Sequence, residues 1–172
     1  MELTPAGEAD LEAVADLVNS AYRGDSSRQG WATEADAVGG QRTDAQTLSA
    51  DLAVKPGAVL MLHREAGVLL GCVWLVPAKA RTWYLGMLTV RPDLQARSLG
   101  RRMLHAAEVY VRLKGGTRIE MTVISIRDTL IAWYERRGYV ATGETRPFPY
   151  GDAKFGIPLR DDLEFLVMEK KF

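Results

Sequence analysis

The sequence is poor in the residues that most often carry metal or nucleophilic chemistry. It has one cysteine, Cys72, and two histidines, His63 and His105, in 172 residues. A single cysteine excludes an internal disulfide framework and any multi-cysteine metal site. The two histidines are far apart and lack an H-E-x-x-H spacing, which argues against zinc hydrolysis and against a Ser-His-Asp triad. Cys72 lies in the apolar run 69–74 and is predicted to be a buried core residue.

The sequence also lacks net charge and long apolar runs. Its 22 Lys and Arg balance its 22 Asp and Glu. Zero net charge argues against a general nucleic-acid or polybasic membrane binder, although it leaves room for a local basic patch. No apolar run reaches the roughly 18 residues of a membrane span, and the start of the chain does not resemble a secretory signal. We therefore expect a cytoplasmic protein with no nucleic-acid or membrane partner.

With 47% hydrophobic residues, the chain can build a sizeable core, and we expect one mixed α/β domain over residues 1–172. Helical spacing of apolar residues predicts helices over 10–22, 44–54 and 97–113, and a short one from Asp128 to Gly138. Apolar runs and alternation predict strands over 58–63, 68–76, 83–90, 118–123, 139–143 and 163–169. The run 83–90 is apolar on both faces and is expected at the centre of the sheet, with a bulge suggested by Gly86.

The segment after this central strand predicts an anion site. Pro92 ends the strand, and a short loop of small and polar residues leads directly into a helix. The first turn of a helix presents unpaired N–H groups beside the positive end of the helix dipole. Small residues at Ala96, Ser98 and Gly100 would let a phosphate approach those amides, and Arg97 and Arg101 add charge. An ordinary strand–helix turn with small residues for packing is the alternative.

The same segment resembles the signature V-x-P-x-x-Q-x-x-G-x-G-R of the GNAT superfamily of N-acetyltransferases. The matching positions are Val90, Pro92, Gln95, Ser98, Gly100 and Arg101. Ser98 departs from the usual first glycine of this motif. A serine keeps the backbone amide, so the phosphate site is retained if the local φ is negative, whereas a positive φ would strain the loop.

A second resemblance lies about 35 residues further on. The later family motif N-x-x-A-x-x-L-Y-x-x-x-G-F/Y is matched in its second half by residues 133–139, which include Tyr134 and Gly138. The first half departs, because Arg127 replaces the Asn and Leu130 the Ala. The order of elements along the whole chain also resembles that of the family. The resemblance therefore implies a GNAT-like α/β domain: a mixed, mostly antiparallel central sheet with splayed central strands and helices on both faces.

The resemblance further implies acetyl-CoA as cosubstrate and no metal. The loop from Gln95 to Arg101 would bind the pyrophosphate, and the backbones of Leu88 and Val90 would pair with the pantetheine arm. A backbone N–H near Met87 or Leu88 would bind the carbonyl oxygen. Tyr134 would donate its proton to the departing thiolate, although helical spacing alone favours a core aromatic. The implied cofactor-binding residues are Leu88, Thr89, Val90, Gln95, Ala96, Arg97, Ser98, Leu99, Gly100, Arg101, Arg127 and Tyr134.

The implied function is acetyl transfer from acetyl-CoA to a primary amine of a small molecule, amino acid or peptide, by direct attack in a ternary complex. A CoA-binding module of the same fold without efficient catalysis is the alternative. A third class, another nucleotide-phosphate enzyme, is disfavoured because the G-x-G-x-x-G and P-loop patterns are missing. Homodimerisation through the late strands is left open.

The acceptor side is the least determined by sequence. No carboxylate lies in the strand 83–90, so the general base is left among Glu34, Asp36, Glu120 and Glu135. In the family the acceptor site is usually lined by the early helices and the late loop, here 22–42 and 146–161. Trp31 with Glu34 and Asp36 is a candidate for holding a cationic amine, with a solvated loop as the alternative. We therefore expect a basic cofactor end and a more acidic acceptor mouth.

Overall fold

A computed structural model describes residues 1–95 and 97–172. The helices are α1 Leu11–Tyr22, α2 Ala45–Val54, α3 Leu99–Leu113 and α4 Asp128–Glu135. The strands are β1 Thr4–Pro5, β2 Val38–Gly39, β3 Val59–Glu65, β4 Val68–Pro77, β5 Thr82–Val90, β6 Arg118–Ile124, β7 Val140–Pro147, β8 Ile157–Pro158 and β9 Glu164–Lys171. None of the helices in the described ranges is long and apolar enough to cross a membrane.

Seven strands form one sheet in the order β1-β3-β4-β5-β6-β9-β7, and β2 pairs with β8 in a separate ribbon. Every pair in the large sheet is antiparallel except β5–β6, which is parallel. The parallel pair joins only Thr82–Tyr84 to residues 118–120. Beyond Tyr84 the two central strands diverge, and the mixed sheet with splayed central strands is confirmed.

Alternation along the strands divides the core into two layers. Leu62 and Cys72 pack with α1 and α2, whereas their neighbours Met61 and Val73 pack with α3 and α4. Successive side chains of a strand point to opposite faces, so one apolar strand can serve both layers. The helices therefore cover both faces of the sheet, as the sequence predicts. Cys72 is fully buried, as expected, and burial raises the pKa of its thiol to about 12.

The predicted long elements are all present, but several of their ends are shifted. The helix predicted from Asp128 to Gly138 ends at Glu135. The helix predicted over 97–113 begins at Leu99, because Ser98 has a left-handed backbone. The strand predicted over 139–143 continues to Pro147, and the late loop contains β8. The two-residue strands β1, β2 and β8 are absent from the prediction because so short a segment carries no periodicity.

Candidate active site

The site begins at a bulge in β5. Cys72 of β4 pairs with Thr89 and Trp74 pairs with Gly86, so a single β4 residue opposes both Met87 and Leu88. Met87 has a φ of 47°, which is rare for a bulky residue. The bulge therefore lies next to Gly86, where the sequence predicts it, but Met87 carries the unusual backbone conformation. A bulge of this kind turns the end of the strand away from its neighbour.

The end of β5 offers its backbone to the gap left by β6. The amide of Arg91 donates to Leu70 O on β4, at 3.0 Å. Because peptide groups alternate along a strand, Val90 and Leu88 direct their backbone N–H and C=O groups to the opposite side, where β6 no longer pairs. Tyr22 Oη donates to Leu88 O at 2.7 Å, and Gln95 Nε2 donates to Val90 O at 3.2 Å. The N–H groups of Leu88 and Val90 thus face the gap.

A cavity of about 380 Å³, here called the α3 cavity, occupies the gap beside the start of α3. Ser98, the residue before α3, has φ 59° and ψ 3°, and it makes no side-chain cap hydrogen bond. The first turn of α3 contains Arg101 and Arg102 and no acidic residue. Such a first turn is unfavourable for a free helix, whose N-terminus prefers negative charge, and it suits an anionic ligand.

The α3 cavity brings together most of the predicted cofactor-binding residues. Its lining includes Leu88, Val90, Gln95, Ser98, Gly100, Arg101, Arg127 and Tyr134. Among the other predicted residues that the structure describes, Thr89 faces β4, Leu99 is buried against Val90 and Met103, and Arg97 is exposed outside the lining. Ala96 lies outside the described residues.

An aromatic wall of the α3 cavity is absent from the sequence prediction. The Trp31 ring lies 5.9 Å from the Trp133 ring, and the Arg137 guanidinium lies 3.6 Å from the Trp133 ring centroid. Gln95 Oε1 accepts a hydrogen bond from Ala32 N at 3.1 Å, which fixes the early loop over the end of β5. Trp31 therefore lines the α3 cavity and not the acceptor region proposed for it. The i, i+4 spacing of Trp133, on α4, and Arg137, in the turn after α4, was the available signal.

A second cavity of about 300 Å³, here called the loop cavity, lies at the gap between the splayed strands and is lined by residues 84–88 of β5 and 121–124 of β6. Its other walls come from the early segment, from α2 and from the late loop, which are the segments expected at an acceptor site. The early and late segments are joined by β2 and β8, where Val38 pairs with Pro158 and Gly39 with Ile157. The sequence predicted the two segments but not this pairing.

Glu34 is the centre of a buried charge cluster in the loop cavity. Its Oε2 accepts from Arg23 Nη1, and its Oε1 accepts from Arg127 Nη1 at 3.0 Å. Burial opposes ionisation of Glu34, but Arg127, Arg42 and Arg23 outweigh it and hold the pKa of the carboxyl below its usual value. Both carboxylate oxygens of Glu34 are occupied by arginines, and its pKa is lowered. This geometry does not support the predicted role of Glu34 in amine binding or as a base.

The loop cavity is more basic than expected. Its charged lining residues are Arg23, Arg42, Lys55, Arg127 and Lys154 on the positive side, and Glu34 and Asp51 on the negative side. The other candidate bases, Asp36, Glu120 and Glu135, are not among the described residues that line either cavity. Asp36 instead pairs with Arg28 at 2.8 Å on the surface. The expectation of an acidic acceptor mouth is therefore wrong.

The two cavities meet at a shared wall. Both are lined by Tyr22, Leu88, Arg127, Leu130 and Tyr134. Burial, and then the Glu34 carboxylate, raise the pKa of Tyr22 to about 12, and burial is also the main cause that raises the pKa of Tyr134. The Tyr134 hydroxyl has no hydrogen-bond partner among the described residues, so a protonated phenol stands at the junction with a free donor.

Comparison with known proteins agrees with this arrangement. The chain is 30% identical over 104 residues to a mycothiol acetyltransferase of Beutenbergia cavernae, a match that covers 60% of this chain and 33% of that protein. The chain thus spans about a third of the length of this relative. Among solved structures, a ribosomal-protein-alanine N-acetyltransferase from Brucella melitensis superposes with a TM-score of 0.73 at 17% identity, covering 100% of both chains. The protein yncA from Salmonella typhimurium, solved with its cofactor acetyl-CoA, gives 0.70 at 19% identity, covering 99% of this chain and 93% of that one.

The family match covers the part of the chain that builds the site. Residues 12–139 match the model of the acetyltransferase (GNAT) family. This range runs from α1 through the splayed strands and α3 to the end of α4, and it includes both resembling motifs. The chain therefore belongs to the acetyltransferase (GNAT) family.

Proposed function

We propose that the protein transfers an acetyl group from acetyl-CoA to the primary amine of a small molecule, amino acid or peptide. The observation that carries this proposal is the junction of the two cavities at Tyr134. The α3 cavity contains the uncapped start of a helix, and the loop cavity adds walls from the variable loops to the wall that the two cavities share. A donor in the α3 cavity and an acceptor in the loop cavity would meet beside a phenol, which is the geometry of direct transfer in a ternary complex.

The residues present fit acetyl-CoA. Positive charge from Arg101 and Arg137 and the uncapped amides of α3 suit a diphosphate, and the open backbone edge of Leu88 and Val90 suits an amide-containing arm. The buried Nε of Arg137 has no acceptor among the described residues and is an unsatisfied donor on a residue of the α3 cavity. When bound, acetyl-CoA supplies the acetyl group as a reactive thioester.

Tyr134 is the proposed general acid. Its raised pKa keeps the phenol protonated at neutral pH, and its hydroxyl makes no competing hydrogen bond to the described residues. A thiolate leaving group is a stronger base when desolvated, so proton donation from a buried phenol to that sulfur is feasible. The Met87–Leu88 bulge supports the proposed backbone N–H site for the carbonyl oxygen, because a bulge leaves one residue outside the ladder.

Transfer by direct attack is favoured over an acyl-enzyme. The one cysteine is fully buried with a pKa raised to about 12, so its thiolate is not available as a nucleophile. The relatives differ in the acceptor that their names give, so they do not select one for this chain. A cytoplasmic location and pairing into a homodimer stay predictions from the sequence.

The proposed function is tested by calorimetric titration with acetyl-CoA, followed by thiol release over a panel of amines. We expect Tyr134→Phe to lower kcat by about 100-fold, the usual size of a lost general acid, with CoA affinity nearly unchanged. Tyr139→Phe is the matched control, because Tyr139 is a buried neighbour of Tyr134 whose hydroxyl contacts Glu108 and lines neither cavity.

Three outcomes separate the alternatives. Absence of CoA binding would overturn the proposal as a whole. CoA binding without thiol release from any amine would favour the CoA-binding module. Equal turnover losses in Tyr134→Phe and Tyr139→Phe would remove the acid role and leave Tyr134 as a packing residue.

A further inference from the structure

The positive charges of the loop cavity exceed what its own carboxylates neutralise. Glu34 is shared by two arginines, Arg23 and Arg127. Asp51 is likewise shared by Lys55 at 3.5 Å and Lys154 at 3.0 Å. Each carboxylate compensates one charge of its pair, so each cluster keeps a positive surplus.

Arg42 adds a further positive charge without any partner. Its side chain is half-buried in the cavity wall, and its guanidinium makes no salt bridge or hydrogen bond to the described residues. It is close enough to Glu34 to help hold the pKa of that carboxyl below its usual value. An unpaired guanidinium in a cavity wall is a ready donor for a planar anion.

A buried donor in the same cavity is also unsatisfied. Arg23 is 6% exposed, and its Nε has no hydrogen-bond partner among the described residues. Buried polar groups in proteins are rarely left without a partner, so this Nε is an uncompensated donor on a cationic residue that lines the loop cavity. Arg23 and Arg42 therefore point independently to an anionic group in the loop cavity.

We infer that the acceptor carries an anionic group, a carboxylate or a phosphate, close to its amine, and that Arg42 binds this group. The inference rests on the proposed function, because it names the substrate class of the same site. A cavity of about 300 Å³ is at the small end for ligand sites, which suits a compact amino-acid-like molecule. A polyamine or a lysine-rich segment would meet like charges on this lining instead.

The positive surplus also accounts for the missing general base. An amine attacks only when neutral, and nearby cations disfavour its protonated form. In this cavity the anionic group would hold the acceptor in place while the surrounding arginines lower the pKa of its amine. The proton then leaves to solvent or through water, and no carboxylate on β5 is required.

The test uses the intact protein saturated with CoA and compares matched ligands by calorimetry. The ligands are the proteinogenic amino acids, their carboxamides, the corresponding amines without the carboxylate, and the aminophosphonates. We expect at least one carboxylate or phosphonate to bind about tenfold or more tightly than its carboxamide, as for a hydrogen bond to a charged group. Thiol release from acetyl-CoA with the same ligands should show the same preference in kcat/KM.

Variants assign the preference to Arg42. Arg42→Gln should remove the preference for the anionic ligand and leave CoA affinity intact, and Arg42→Lys should restore part of it. Arg160→Gln is the matched control, since Arg160 pairs with Asp162 on the surface outside both cavities. If an aminophosphonate binds more tightly than the matching amino acid, the acceptor is an amine that carries a phosphate.

The inference is overturned if carboxamides bind as well as their acids, if the preference survives Arg42→Gln, or if no anionic ligand binds. Faster thiol release with amines that lack an anionic group would also overturn it, while leaving the proposed function standing. Absence of CoA binding in the wild-type protein would instead overturn the proposed function.

Discussion

Met87 and Ser98 are non-glycine residues with a left-handed backbone; Met87 lines the loop cavity, and Ser98 lines the α3 cavity. Their φ values are 47° and 59°. Residues in this region cost free energy and persist only where the surrounding structure holds them. The bulge fixes Met87, and the turn into α3 fixes Ser98. The strain is thus located where the backbone must expose N–H groups to a ligand.

The conformation of Ser98 predicts the effect of restoring glycine. Ser98→Gly removes the penalty for a side chain at positive φ, which exceeds the entropy that glycine adds to the unfolded chain. We expect the free energy of unfolding to rise by about 0.5–1 kcal/mol and CoA affinity to be equal or better. Urea denaturation and calorimetry measure the two effects.

Ser49→Gly, within α2, is the control for this change. There the same substitution places glycine in a helix and should lower stability by about 0.5 kcal/mol. A large loss of CoA affinity in Ser98→Gly would contradict the backbone argument, because it would mean that the serine hydroxyl contacts the cofactor.

Glu34 illustrates a residue whose surroundings no local pattern reveals. The sequence singles it out as a carboxylate in a variable loop, but its partner Arg127 lies 93 positions away. That pairing depends on the early loop crossing the start of α4, where Arg127 also donates to Ala32 O at 2.6 Å. The same Arg127 is the residue that departs from the family motif. The departure therefore coincides with a second contact for this residue, because Arg127 binds Glu34 and also lines the α3 cavity.

At the scale of elements, the periodicity of apolar residues predicts the long helices and strands but not the two-residue strands. The two-sided apolarity of β5 is enough to place this strand at the sheet centre, and the apolar faces of α1 and α3 are enough to pack these helices on the sheet. The pairing of β2 with β8 depends on two loops distant in sequence, and neither strand is long enough to alternate. The acceptor walls are therefore the part of the site that the sequence determines least.

The β2–β8 ribbon predicts an effect confined to the acceptor. Gly156 has a φ of 91°, and a Cβ there would lie 2.7 Å from Gly39 O and 2.8 Å from Val38 Cγ1. Gly156→Ala should therefore separate the two strands and raise KM for the amine by about tenfold, with CoA affinity unchanged. Steady-state kinetics in both substrates checks this.

Gly151→Ala is the control for the ribbon, since Gly151 also has a positive φ of 85° but has open space around it. It should lower stability by about 1 kcal/mol and leave KM unchanged. If Gly156→Ala weakened CoA and amine equally, the ribbon would be a general support of the fold and not an acceptor wall.

At the scale of the whole molecule, the net charge is zero, but each of the two cavities is lined by more positive than negative side chains. Arg101 and Arg137 line the α3 cavity, and the loop cavity has the surplus described above. The compensating acids lie elsewhere, as Asp93 and Asp162 do in surface pairs with arginines. The division into a basic and an acidic end, expected from the sequence, is replaced by two basic cavities under a mixed surface. Ligand anions would then offset part of the positive charge at both sites.

Because of this charge distribution, substitutions in the first turn of α3 should have opposite effects on CoA affinity and on the stability of the ligand-free protein. Arg101 and Arg102 are both exposed, but only Arg101 lines the α3 cavity. We expect Arg101→Gln to weaken CoA binding about tenfold, the size of a lost hydrogen bond to a charged group, and to flatten its dependence on ionic strength. Arg102→Gln should change affinity less than about twofold.

Both substitutions should also raise the stability of the ligand-free protein, by roughly a few tenths of a kcal/mol, because a cation at a helix N-terminus opposes the dipole. Calorimetry over a salt series and urea denaturation measure these effects. A loss of ligand-free stability in Arg101→Gln, with no specific loss of affinity, would instead mean that Arg101 supports the fold.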